Sequence, residues 1–170
     1  LSIRRQRQMC IRDSNPGLGF EMRENFTATR DRLLYGWIPG EKSWLQSHSV
    51  FAEGYVVFRN DDRTIESAEV GPGWEFNAKA GFGGYFSILG YRESLREELE
   101  FSDEVTVPVG EYDFLGLRSL FYLPMGGLFT SMFMVDAGSF YDGWRTTLRA
   151  MPSWSIVPNL TLGGRYEFNW

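Results

Sequence analysis

Three observations predict an all-β protein and, more narrowly, an antiparallel up-and-down transmembrane β-barrel. The first is strict alternation. Leu160, Leu162, Gly164, Tyr166, Phe168 and Trp170 take one parity, and Thr161, Gly163, Arg165, Glu167 and Asn169 take the other, which places the two sets on opposite faces of a sheet. The second is that about eight such segments follow one another, most of them longer than the ~5–6-residue strand usual in soluble domains. The third is the make-up of the polar face, which carries Gly, Ser, Tyr, Arg and Glu, while lysine is confined to Lys42 and Lys79. That suits an enclosed interior better than a surface dressed for bulk water. A soluble ligand-binding barrel, its apolar face turned inward, has the same alternation. The Gly, Ala, Thr and Pro mixed among Leu and Phe would fill such a core poorly.

The N-terminus is set aside before the elements are read. Arg4 to Ser14 spells RRQRQMCIRDS, the in-frame translation of a transposon-end sequencing adapter, so residues 1–14 are expected to be non-native. Removing them takes away four of the 17 basic and one of the 22 acidic residues, which moves the formal charge from −5 to −8. The single cysteine, Cys10, goes too, and with it any disulfide or thiolate chemistry. Residues 15–170 are then expected to be a barrel fragment truncated at both ends. No run approaches the ~18 apolar residues of a membrane-spanning helix.

The first segment, 27–38, is the least regular, since Leu33, Tyr35 and Trp37 share one parity while Leu34 and Ile38 take the other. In 48–59, Val50, Ala52, Gly54, Val56 and Phe58 oppose Phe51, Glu53, Tyr55 and Arg59. In 64–78, Ala68, Val70, Pro72, Trp74 and Phe76 oppose Glu69, Gly71, Gly73, Glu75 and Asn77; Pro72 argues against a central strand of a soluble sheet or marks a bulge. Segment 81–92 presents Phe82, Gly84, Phe86 and Ile88, and 112–123 presents Leu115, Leu117, Phe121 and Leu123 with Arg118 opposite. In 128–140, Phe129, Phe133, Val135 and Ala137 oppose Thr130, Met132, Met134 and Asp136. In 144–154, Thr146, Leu148, Ala150, Pro152 and Trp154 oppose Arg145, Thr147, Arg149 and Ser153. Residues 160–170 complete the series.

Connections at 77–81, 123–127 and 157–159 are tight and lightly charged; those at 60–63, 93–111 and 141–143 are more polar. Short turns on one side and longer polar loops on the other are a habit of outer-membrane barrels. Asp142-Gly143 predicts a hairpin in which glycine takes the positive φ. From Trp144 to Trp154 is ten steps, about 33 Å at ~3.3 Å each, or roughly 25 Å when tilted by ~40°, the height of a transmembrane barrel's apolar band. Trp74, Trp144, Trp154 and Trp170 are the expected membrane-interface aromatics.

GSFYDGWRTTLRAMPSWSIVPNLTLGGRYEFNW, residues 138–170, together with NPGLGF at 15–20 and VTVPVGEYDF at 105–114, resembles a bacterial family of unknown function. Its members join an N-terminal domain like the family-nine carbohydrate-binding modules to a C-terminal outer-membrane barrel. The resemblance runs in order over 15–170. It implies residence in a Gram-negative outer membrane, further strands on both sides, and a porin-like or surface-anchoring role linked to carbohydrate through a module missing from this sequence.

No catalytic, cofactor or metal site is expected. His48, the sole histidine, has no second His or Cys to work with and is read as a turn residue. A G-x-S-x-G elbow is absent, and no pair of carboxylates stands out for glycoside hydrolysis. The acidic run Glu97, Glu98, Glu100, Asp103 and Glu104 lacks ordered calcium-loop spacing and reads as a solvated loop. Neither a nucleic-acid partner nor enzymatic activity is expected. The functional bet is the interior charges: Glu53, Arg59, Glu69, Glu75, Arg118, Asp136, Arg145, Arg149, Arg165 and Glu167. Enclosed charges must be paired or hydrated, so in a narrow barrel they form a ladder of ion pairs and in a wide one they line a water-filled path.

Overall fold

A computed structural model describes the backbone of residues 2–9, 25–102 and 105–170 and the side chains of 25–98 and 106–170. The NPGLGF motif lies outside the described residues. The described residues form twelve strands: β1 (Ser2–Met9), β2 (Phe26–Trp37), β3 (Leu45–Arg59), β4 (Ile65–Ala78), β5 (Gly83–Leu95), β6 (Leu99–Ser102), β7 (Val105–Val107), β8 (Gly110–Tyr122), β9 (Phe129–Phe140), β10 (Gly143–Val157), β11 (Leu160–Gly163) and β12 (Tyr166–Asn169). All pairs are antiparallel, and the main sheet runs β1-β2-β3-β4-β5-β8-β9-β10 with β11 and β12 both on β10. The sheet is up-and-down and does not close on itself. Among the described residues no helix is long and apolar enough to cross a membrane.

β1, the segment read as adapter-derived, lies along β2 from Ser2↔Leu34 to Met9↔Thr27. An unpaired edge offers N–H and C=O groups to any extended chain, so this pairing reports on the open edge of β2.

Alternation correctly orders the principal strands, and four details depart from it. The acidic stretch 93–111 is not a single loop. β5 and β8 stay in register out to Leu95↔Gly110, and the chain between them forms a small separate β6–β7 hairpin. The tight turn near Asp142 is one residue earlier than glycine chemistry suggests. Phe140 pairs with Gly143, so Tyr141 and Asp142 form the turn, and the positive φ of 52° falls on Tyr141. Ring contacts hold Tyr141 there: its centroid lies 4.8–5.0 Å from those of Tyr112, Phe114 and Phe140.

Pro72 makes no bulge against β5. The β4–β5 register is the same on either side of it (Val70↔Gly90, Gly73↔Ser87), and the ladder merely skips Gly71 and Pro72, because proline has no N–H to give. β4 is nonetheless a central strand. At Gly71 the backbones crowd together: a Cβ would fall 1.8 Å from the Ile88 carbonyl oxygen. Pro152 does the same to the last strand. β11 and β12 continue one register on β10 (Ser153↔Gly163, Ala150↔Tyr166); Gly164 N–H donates to the Pro152 carbonyl at 2.9 Å, and the return bond has no donor.

Burial assigns the faces. Leu115, Val70 and Ile88 are 62%, 59% and 49% exposed, whereas Leu89, Val57 and Ser87 on the other parity are 0% exposed. The polar face is the packed, concave one and the apolar face is bare. In 27–37 the same rule settles the mixed parity: Leu33, Tyr35 and Trp37 face outward, and Leu34, in register with Phe51, faces inward.

Candidate functional site

The inward charges gather into clusters across the sheet. The central one is built on Arg118 of β8. Its Nε donates to Asp136 Oδ1 on β9 at 3.1 Å, its Nη1 to Glu69 Oε1 on β4 at 2.7 Å, and its Nη2 to Tyr91 Oη on β5 at 3.3 Å. Asp136 is its direct cross-strand partner, but Glu69 is two strands away. Arg118 can cross β5 because the residue opposite it there is Ser87, too small to block the path. Glu69 is in register with Tyr91, so the ion pair passes over the residue between, Leu89, and seals it from solvent.

The same design recurs one step along the sheet. Arg32 of β2 donates from Nη2 to Glu75 Oε2 of β4 at 2.6 Å, crossing β3 with its guanidinium carbon 4.2 Å from the Phe51 ring centroid. Ser49 donates to the other oxygen of Glu75 at 2.8 Å. Phe51 is 4% exposed and fits because its partner is Gly73, where a Cβ would sit 2.2 Å from the ring. In both straps an arginine reaches over one strand to a glutamate, with a buried apolar side chain beneath the bridge and a glycine beside that side chain. Charge and packing are thus one unit: the bridge screens the apolar group, and the low-polarity floor strengthens the bridge.

A third cluster joins Arg149 to Glu167 at 3.0 Å and Arg165 to Glu167 at 3.4 Å. Arg149 is on β10 and Glu167 on β12, while Arg165, largely exposed, lies in the break between β11 and β12. Of the other expected interior charges, Glu53 faces inward in register with Arg32 but makes no ion pair among the described residues. Arg59 sits at the strand end and donates to the Ser94 carbonyl, tying β3 to β5. Arg145 lies 4.7 Å over the Phe140 ring.

Sequence reasoning missed Arg32, although its parity opposite Leu33, Tyr35 and Trp37 marks it as inward. It also missed Tyr91 as a hydrogen-bonding partner. His48 is no turn residue: it lies within β3, accepting from Trp74 Nε1 on Nδ1 at 3.3 Å and packing edge-on to Trp37 at 4.3 Å. Trp74 also stacks on Phe76 at 4.8 Å. Trp144, Trp154 and Trp170 are all exposed, with Trp154 near one end of β10, Trp144 at the other, and Trp170 bonded through its backbone to Thr146.

Outside the strands, Arg96 pairs with Asp61 at 2.7 Å and with Asp62. Hydrogen bonds from Thr64 hold the Asp62 carboxyl below its usual range, with Arg96 adding to the effect. Tyr141 donates to Glu93 at 2.7 Å, and burial first, then that bond, pushes its phenol up to about 12. Among the described residues no group of three or more His, Cys, Asp or Glu is arranged to hold a metal. Asp103 and Glu104 of the acidic run lie outside the described residues, and the Glu100 side chain does too. No protein-family model, curated protein or solved structure matches the chain.

Proposed function

We propose that this chain forms part of a bacterial outer-membrane β-barrel, with its apolar face toward lipid and its Arg/Glu face toward the interior. The observation that carries the reading is the inversion of burial: Arg118, Glu69 and Asp136 lie on the packed concave face, while Leu115, Val70, Ile88 and Trp154 lie bare on the other. In water that arrangement leaves a large contiguous apolar surface unfavourably hydrated; in a bilayer it removes the surface from water. Lipid requires every backbone group to be satisfied, hence closure, so the open edges of this sheet are expected to be completed by further strands. The tryptophans near both ends of β10 suit two membrane interfaces. The resemblance described for 138–170 extends the proposal to passage or surface anchoring, linked to carbohydrate by an N-terminal module.

Refolding the chain with and without detergent or lipid vesicles tests this reading. Folding only with an amphiphile, seen as sheet signal and heat-modifiable gel mobility, is expected. A monodisperse, folded protein in detergent-free water would overturn it in favour of a soluble barrel.

A further inference from the structure

We propose that the concave cavity on the loop side of Arg118 binds a small organic monoanion, its planar oxyanion on Arg145 and its ring against Phe140 and Phe114. The proposal rests on the reading of the concave face as the interior, reached from water. The cavity has a volume of about 360 Å³, at the small end of the range for ligand pockets.

It exists because two ladders part company. β8 pairs with β9 only as far as Gly116↔Gly138, yet it continues with β5 to Gly110↔Leu95. Beyond the glycines β8 and β9 diverge, and Phe114, Phe140 and Tyr141 bridge the gap with centroids 4.8–5.9 Å apart. The result is a hollow with an aromatic end wall and a strand-crossing ion pair on its other side.

The charges lining the hollow are nearly all committed. Arg118 holds Glu69 and Asp136, and Arg92 holds Asp113 and Glu111. Glu93 accepts from Tyr141. Arg145 lines the cavity with no carboxylate partner among the described residues; its guanidinium carbon stands 4.7 Å over the Phe140 ring. A guanidinium held over a ring and not by a carboxylate leaves its N–H donors available, and that planar fork can receive a carboxylate bidentately. Glu93, lining the same hollow, disfavours a second negative group on the ligand. The chemistry therefore selects one charge, flat and attached to an apolar ring.

The test uses the full chain, folded in detergent micelles, titrated with benzoate, benzyl alcohol and benzylamine at low salt by calorimetry. Benzoate is expected to bind and the other two to bind at least tenfold more weakly. Arg145→Gln should cost benzoate about tenfold, the scale of one charge-assisted contact, with Arg145→Lys between and Lys79→Gln unchanged. Equal binding of the three probes, or an Arg145→Gln protein that binds benzoate normally, would overturn the proposal. Detergent-dependent folding without benzoate binding sinks the site and spares the membrane reading. Folding in plain water with benzoate binding does the reverse.

Discussion

Ile88 and Leu89 are neighbours in β5, yet the first is 49% exposed and the second 0%. Ile88 belongs to a face on which no second layer packs among the described residues. Leu89 lies between Ser87 and Tyr91, beneath the Arg118–Glu69 bridge, and opposite Gly116. The two faces therefore obey different rules. The concave face is space-limited, and glycine beside a large side chain, with an arginine laid over it, is its repeating solution. The convex face carries no such constraint and tolerates Pro72 and Pro152 in its strands, where each removes a ladder bond.

Four experiments sharpen that contrast. The largest effect is expected from Gly71→Val, since the new Cβ would meet the Ile88 backbone carbonyl, which cannot swing aside as a side chain can. A loss above about 4 kcal/mol, the range of exceptional single substitutions, should abolish heat-modifiable folding; a folded Gly71→Val protein would show that β4 and β5 do not approach so closely. Next, Ile88→Arg should cost roughly 2–4 kcal/mol at the middle of a bilayer, measured by urea titration in vesicles. If position 88 faces water instead, the change should be nearly neutral.

Arg118→Leu removes the cation shared by Glu69 and Asp136. Breaking a fully buried pair costs about 3–5 kcal/mol, but these side chains are about one-third accessible at most, so about 2 kcal/mol is expected after solvent screening. Adding Glu69→Gln and Asp136→Asn to that variant should recover part of the loss; no recovery would mean that Arg118 acts by packing alone. The smallest effect concerns pH. The Tyr141 phenol is raised above its unfolded value of 10.0 to about 12, so the folded state holds that proton more tightly. Its contribution is fully present below pH 10 and is lost as pH rises toward 12. Tyrosinate absorbance should show a tyrosine titrating toward pH 12 that is missing in Tyr141→Phe.

Much of this was legible in the sequence because a period of two admits only one partition of each strand. Once Val50, Val70 and Leu115 point one way, Glu53, Glu69 and Arg118 must point the other. Parity assigns a side but not a partner. That Arg118 reaches over β5 to Glu69, rather than stopping at its neighbour, depends on Ser87 being small and on the register of three strands at once. Arg32 was hidden for a different reason: Leu34 and Ile38 blur the alternation of its strand. The Tyr141 turn was misplaced because Asp142-Gly143 carries the stronger local signal, whereas ring contacts with Tyr112 and Phe114, distant in sequence, and with the adjacent Phe140 decide the backbone. The cavity beside Arg145 had no sequence signature, since it arises where one ladder ends and its neighbour does not.

The two ends of the sheet differ in what it takes to dehydrate them. Connections 38–44, 79–82, 123–128 and 158–159 contain only Glu41, Lys42 and Lys79 as charged residues. At the opposite end stand Asp61, Asp62, Arg63, Arg96, Glu97, Glu98 and Asp142. Insertion into a bilayer drags one set of turns through hydrocarbon, and each charge carried across raises the barrier by several kcal/mol. If the chain enters a bilayer as proposed, the lightly charged end should lead and the charged end should stay behind as an anchor.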